Sequence, residues 1–371
     1  MKIICTTQKL KESVTFTERI ITRHLTLPIL NNIHLKTEKN GLKINSTNLE
    51  IGISSWFPCK VEDIGEITVP AKIFSSIIYG LVADKICLEL KKNNTLEISA
   101  ENYKAELKGE NAKDFPIIPV LNKNLIIKIK AIDFCKSLNQ VIGFVSNSET
   151  RPEITGVFIT KDKDDSFIKI VGTDSFRLGE NKIKIEEEFK DINFSVIVPS
   201  KTITEVIRIF SNFNDILNIV IEKNQIYFES NKTEIVSRLI EGTYPDYKKL
   251  IPTDFNTKII ISREEFIKLI KLVSVFSGRL SDILLSFNKH KTPQVKVFAT
   301  DADLGENSSE MAMDMSGADL EIKFNWKYFL DGLAVISSDK ICLNFIDNTK
   351  PCLIKSDQDN NFVYLVMPIR S

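Results

Sequence analysis

The sequence predicts an α+β protein made of three copies of one unit, each with two helices packed on antiparallel sheets. Three sets of recurring markers predict it. The heptapeptide DKICLEL at Asp84–Leu90 returns 255 positions later as DKICLNF at Asp339–Phe345. Lysines keep one frame at Lys72 (VPAKIF), Lys201 (VPSKTI) and Lys327 (FNWKYF), 129 and 126 residues apart. Thr47 (STNLEIG), Thr173 (GTDSFRLG) and Thr300 (ATDADLGE) follow at spacings of 126 and 127. A period of roughly 125 residues is the signature of a repeat architecture. In a chain of 371 residues it sets boundaries near 121 and 253, giving units 1–121, 122–253 and 254–371.

Every unit opens with an apolar strand (IICTT, LIIKIK, KIIIS) followed by a helix (KLKESVTFTERIIT, AIDFCKSLNQVIGFV, SREEFIKLIKLVSVF). Strands then alternate with polar turns such as KNG at Lys39–Gly41 and KDKDD at Lys161–Asp165, where Asn, Asp and Gly suit hairpins. The Thr-Asn and Thr-Asp markers stand at strand ends, where an Asx side chain bonds its own backbone and turns the chain. A second helix starts after Pro70 and Pro199, with an apolar stripe of Ile73, Phe74, Ile77, Ile78 and Leu81 in the first copy. Two last strands form a hairpin over KKNNT, EKNQ and IDNTK, and the alternation of Ile86, Leu88 and Leu90 turns one face of DKICLEL into a core. Each unit thus holds strands enough for two small sheets.

Composition narrows the function classes. No run of about 18 apolar residues occurs, and the N-terminal MKIICTTQKLKES lacks the apolar core of a signal peptide, which points to the cytoplasm. Cys5, Cys59, Cys87, Cys135, Cys342 and Cys352 fall singly in apolar runs without C-x-x-C spacing and are expected as buried free thiols. The three histidines, His24, His34 and His290, adjoin no nucleophile motif, and no P-loop, dinucleotide turn, H-E-x-x-H or EF-hand loop is present. Asp162, Asp164 and Asp165, like Glu186, Glu187 and Glu188, are flanked by lysines and read as solvated charge rather than metal ligands. The expectation is a non-catalytic scaffold with no cofactor and no metal.

Lys plus Arg and Asp plus Glu are both 49, so net charge identifies no polyanionic partner. The distribution is less even. Across the helix spans 8–23, 71–81, 131–145, 200–211, 262–277 and 325–336 there are twelve basic and seven acidic residues, leaving the rest of the chain net acidic by five. Helices gathered on one surface would make that surface cationic and favour a polyanion there.

Eight motifs, in order and on the three-fold repeat, carry a family resemblance: TLPILNNI (26–33), STNLEIGI (46–53), TVPAKIF (68–74), DFPIIP (114–119), GTDSFRLG (172–179), IVPSKTI (197–203), YPDYKKLIP (244–252) and VYLVMPIR (363–370). The chain resembles the bacterial sliding clamp, the beta subunit of DNA polymerase III, over essentially its whole length. The resemblance implies a homodimeric ring joined head to tail, with helices lining a central hole around double-stranded DNA and sheets outside. Such a ring would confer processivity on the replicative polymerase. By the same resemblance, Ala105 and Leu107 lie at the junction between copies with Val275 and Phe276 of the partner copy, and Arg23, His24, Lys72, Arg151 and Lys201 lie near DNA. Where the family often carries arginine, this chain has His24.

The resemblance also implies a cleft that takes short linear motifs of the replicative polymerase, the clamp loader and repair polymerases. One wall would hold Ile154, Thr173, Ser175, Phe176, Arg177 and Leu178. Pro245, Lys249 and Leu250 come from the connecting segment, and Leu365, Val366, Met367, Pro368, Ile369 and Arg370 from the tail. The family's T-D-G-H-R-L reads Thr173-Asp174-Ser175-Phe176-Arg177-Leu178 here, losing a glycine and a histidine, so partner motifs are expected to differ from those of other bacteria. The alternative reading is a repeat-built peptide-binding scaffold that does not encircle DNA.

Overall fold

The computed structural model describes residues 1–23, 25–119, 126–148, 150–185, 191–289 and 292–369. His24, His290, Arg370 and the acidic run from Glu186 lie outside the described residues, as does the expected boundary at 121. The chain forms two compact units, Met1–Ile132 with Arg208–Leu239, and Asp133–Ile207 with Ile240–Ser371. The central repeat is therefore divided between them.

Six α-helices are described: α1 (Thr7–Thr17), α2 (Ala71–Gly80), α3 (Ala131–Val141), α4 (Ser200–Phe210), α5 (Arg263–Val273) and α6 (Trp326–Ala334). The first helix of every repeat, α1, α3 or α5, has eleven residues and runs into a 3₁₀ turn, at Glu18–Ile20, Ile142–Phe144 and Ser274–Phe276. The expected spans 8–23, 131–145 and 262–277 thus end earlier as α-helix. In α1 the Thr17 hydroxyl donates to the Ser13 carbonyl at 2.9 Å and to that of Val14, a back-bond that competes with the helical ladder at its end. The second helices α2 and α4 begin directly after Pro70 and Pro199, and Asn325 caps α6 by accepting from the Lys327 and Tyr328 amides. Phe74 and Ile78 of α2 are fully buried, each contributing about 2 kcal/mol of hydrophobic stabilisation. Ile73, expected in the same stripe, is 53% exposed.

In the first unit a five-stranded sheet runs in the order Lys60–Asp63, Lys2–Thr6, Lys85–Lys91, Thr95–Ala100, Tyr103–Lys108. The strand of DKICLEL is central, as its alternation requires. An eight-stranded sheet joins Ile127–Lys130 and the hairpins of residues 216–238 to four strands of the first repeat. The second unit holds a nine-stranded sheet and a four-stranded sheet ordered Gly305–Ala312, Gln294–Asp301, Asp282–Asn288, Leu320–Asn325. Sheets of consecutive repeats fuse edge to edge, because a strand's open amide and carbonyl row is satisfied by the neighbouring copy.

The fusions use the same pair of strands twice. Thr233–Arg238, last in the central repeat, pairs antiparallel with Ile51–Pro58 of the first, setting Ile235 opposite Ile53. Phe362–Val366, last in the third repeat, pairs with Arg177–Lys184 of the central one, setting Tyr364 opposite Gly179. Glycine is required at that second seam. A Cβ on Gly179 would meet the Phe144 ring at 2.6 Å, and one on Gly332 of α6 would meet the Tyr364 ring at 2.2 Å. Tyr364 fills the space so created, with its ring 4.7 Å from Phe144 and its hydroxyl donating to the Tyr328 carbonyl at 2.7 Å. The remaining strands of these two kinds, Tyr103–Lys108 and Gly305–Ala312, are sheet edges.

All six cysteines are free; Cys59 and Cys87 are half-buried rather than buried. Burial pushes the Cys5 and Cys135 thiols up to about 12, so both stay protonated and unreactive at neutral pH.

Candidate functional site

The strand Phe167–Thr173 ends in a turn that recurs in all three repeats. Asn48, Asp174 and Asp301 each accept two backbone amides, from Glu50 and Ile51, from Phe176 and Arg177, and from Asp303 and Leu304. Leu49 and Ser175 take left-handed φ values of 73° and 78° at equivalent positions. Glycine is the easier residue for such a conformation, and Ser175 holds it because its amide donates to the Thr173 hydroxyl at 3.1 Å. In the second unit this turn lifts Phe176, 59% exposed, into solvent, where its ring stacks 6.3 Å from that of Tyr328.

Arg177 organises the floor beneath. Its guanidinium donates to Asp174 at 2.9 Å, to Asp331 and to the Gly143 carbonyl at 3.2 Å, and lies 4.6 Å from the Tyr328 ring centroid. Burial disfavours its charge, but the two carboxylates outweigh burial and hold its pKa above the ordinary arginine value. Next to it, Ile154, Leu178 and Leu365 form one buried apolar cluster with Tyr244, Tyr247 and Leu353. Tyr244 stacks on Phe158 at 4.4 Å, and Tyr247 donates to Glu180 at 2.6 Å. The Tyr244 hydroxyl is buried with no hydrogen-bond partner among the described residues.

The remaining cleft candidates differ in access. Thr173, Val366 and Pro368 are buried, Pro245, Met367 and Ile369 are half-buried, and Ser175, Lys249 and Leu250 are exposed. The Met367 amide donates to the Phe176 carbonyl at 2.9 Å, which joins the tail to the turn. The Lys249 ammonium is paired with Asp246 at 2.8 Å. Sequence reasoning missed Tyr244, Tyr328 and Asp331. Tyr244 opens the segment that supplies Pro245, the signal that could have found it; Tyr328 and Asp331 lie more than 150 residues from the turn they support and leave no local signal.

Of the residues expected near DNA, Arg23, Lys72, Arg151 and Lys201 are exposed. Lys72 and Lys201 are the second residues of α2 and α4. A cation in the first turn opposes the helix dipole, so these lysines are not there to stabilise their helices. Arg151 pairs with Glu153 at 3.0 Å and donates to the Ser175 hydroxyl at 3.0 Å, which ties it to the turn that carries Phe176. Of the junction candidates, Leu107 is buried and Ala105 half-buried on the edge strand Tyr103–Lys108. Val275 is 67% exposed, and Phe276 is half-buried beside Gly305 on the opposite edge strand. Among the described residues, no three His, Cys, Asp or Glu side chains gather as a metal site, and no helix is long and apolar enough to cross a membrane. Lys169 and Lys248 neutralise Asp162, and Lys169 also pairs with Asp165.

Three repeats of a two-helix module, fused through their sheets, define a clamp fold. Residues 1–119, 128–246 and 248–370 match the N-terminal, central and C-terminal domain models of the DNA polymerase III beta subunit. The beta sliding clamp of Rickettsia felis is 30% identical over the full length of both chains, and that of Bacillus subtilis 28%. Among solved structures, the Bacillus subtilis sliding clamp superposes with a TM-score of 0.94 at 29% identity, covering 100% of this chain and 99% of that one. The Thermotoga maritima beta subunit superposes at 0.91 and 25% identity with the same coverage. The chain belongs to the DNA polymerase III beta subunit family, the sliding clamps.

Proposed function

We propose that two copies of this chain close head to tail into a ring around duplex DNA and tether the replicative polymerase to it, with no catalysis by the ring itself. The units 1–121, 122–253 and 254–371 serve as its three clamp domains, and its place of work is the cytoplasm. One observation carries the reading. Each internal seam joins the last strand of one repeat to the post-turn strand of the repeat before it, and the only strands of these kinds left as edges among the described residues are Tyr103–Lys108 and Gly305–Ala312. They are the two halves of a third seam, and two copies related by a two-fold axis satisfy both at once.

The motif Leu-Gly-Glu-Asn at Leu178–Asn181 recurs at Leu304–Asn307, and aligning the two gives the junction the register of the second internal seam. Gly305 then faces Ala105 of the other copy, and Glu306 faces Lys104, an opposite-charge pair. The packing agrees with this alignment. Gly179 lies against Phe144 as Gly305 lies near Phe276, and Asn181 donates to Gln140 in α3 as Asn307 donates to the Leu272 carbonyl in α5.

A closed ring is retained on DNA by topology, so weak contacts suffice and permit sliding. Exposed Arg23, Lys72 and Lys201 offer attraction to phosphate that is independent of sequence. The cleft around Phe176, Leu178, Leu365 and Met367 suits an extended peptide with one or two large apolar anchors from the polymerase, the clamp loader or repair polymerases. Retention tests the reading. Loaded onto nicked circular DNA, the protein stays bound through gel filtration, and linearising the circle releases it; equal loss from both forms contradicts encirclement.

A further inference from the structure

The two internal seams carry something besides the strand ladder. In the first, Arg208 of α4 donates to the carbonyls of Thr15 and Phe16 at 2.8 and 2.7 Å, at the end of α1. In the second, Gln140 of α3 donates to the Val335 carbonyl at 2.9 Å, at the end of α6. Donor and acceptor exchange places, but the same two helix ends are tied, the end of a first helix to the end of the next repeat's second helix. Counted from their helix starts, Phe16, Gln140 and Leu272 are equivalent, as are Arg208 and Tyr79, and Val335 and Gly80.

We propose that the junction between copies lacks this polar tie, with Leu272 and Tyr79 standing where the internal seams place their donors, and that this absence speeds the opening of the one seam the polypeptide does not bridge. The inference rests on the ring reading. Leu272, 59% exposed, has an alkyl side chain that cannot donate, and it stands in the last turn of α5. Tyr79 is occupied within its own repeat, its hydroxyl donating to Glu18 at 2.6 Å and lying 3.1 Å from the Thr15 hydroxyl. The junction is left with its ladder, the pair of Lys104 and Glu306, and apolar contact through Val275 and Phe276. Hydrogen bonds that cross a seam must break before it parts, so a seam with fewer of them opens faster.

Two substitutions restore the tie by copying the internal seams. Leu272→Gln reproduces Gln140 and reaches for the Gly80 carbonyl of the other copy; Tyr79→Arg reproduces Arg208 and reaches for the carbonyls of Lys271 and Leu272. Subunit exchange between differently labelled dimers, followed by energy transfer, reads the opening rate. At least one variant is expected to slow exchange about tenfold or more, and Leu272→Gln, at a side chain 59% exposed, to do so with unchanged thermal unfolding. If both variants exchange as fast as the parent or faster, the proposal fails while the ring stands. A parent protein that is monomeric at micromolar concentration removes the ring reading itself.

Discussion

Phe276→Asp is expected to split the proposed ring into monomers that keep their fold. Phe276 closes the 3₁₀ turn after α5, half-buried near Gly305 on the open edge strand, where the second copy's Ala105 would cover it. A carboxylate there would be desolvated by the incoming strand without a cation to meet it, which costs about 3–5 kcal/mol in comparable buried sites. The dimer dissociation constant should therefore rise at least about 100-fold. Sedimentation reads it directly: the parent runs near twice 42.2 kDa and the variant near 42.2 kDa at micromolar concentration. Val275→Asp is the companion, since a side chain 67% exposed in the single chain can carry a charge without harming the fold. A Phe276→Asp and Val275→Asp pair that both remain dimeric would remove these residues from the junction.

Leu178→Ala with Met367→Ala abolishes polymerase-peptide binding and leaves the dimer intact. The two side chains differ in kind. Leu178 is 3% exposed within the apolar cluster, so its truncation costs about 2–5 kcal/mol of stability as well as any anchor contact. Met367 is half-buried and tied to Phe176 through its amide, so its truncation acts on the cleft alone. A fluorescent polymerase tail peptide should lose about 100-fold or more in affinity for the double variant and about tenfold for Met367→Ala, as expected where one or two residues dominate a contact. Unchanged affinity in a double variant that still melts cooperatively would move the binding site elsewhere.

Much of the fold was legible because repetition makes weak local signals add. Pro70 and Pro199 mark helix starts, and the Asn or Asp after each marker threonine forms the same two-amide turn three times. What was not legible depends on pairing between distant segments. Nothing local to Thr233–Arg238 shows that it will join Ile51–Pro58, or that its counterpart Tyr103–Lys108 is left open. Ile73 follows the apolar period of α2 yet lies at the surface, since periodicity reports a side chain's direction and not what covers it. At the candidate site, the turn itself was legible from its Thr-Asp marker. The aromatic and acidic groups that fix Arg177, Tyr328 and Asp331, come from α6 and became visible only with the chain folded.

Electron microscopy of single particles tests the central claim most directly. Two copies joined through Tyr103–Lys108 and Gly305–Ala312 should give an annulus with two-fold symmetry and an opening wide enough for duplex DNA, and Phe276→Asp should reduce it to open arcs. A compact or elongated particle with no central opening, at concentrations where the protein is dimeric, would contradict the account.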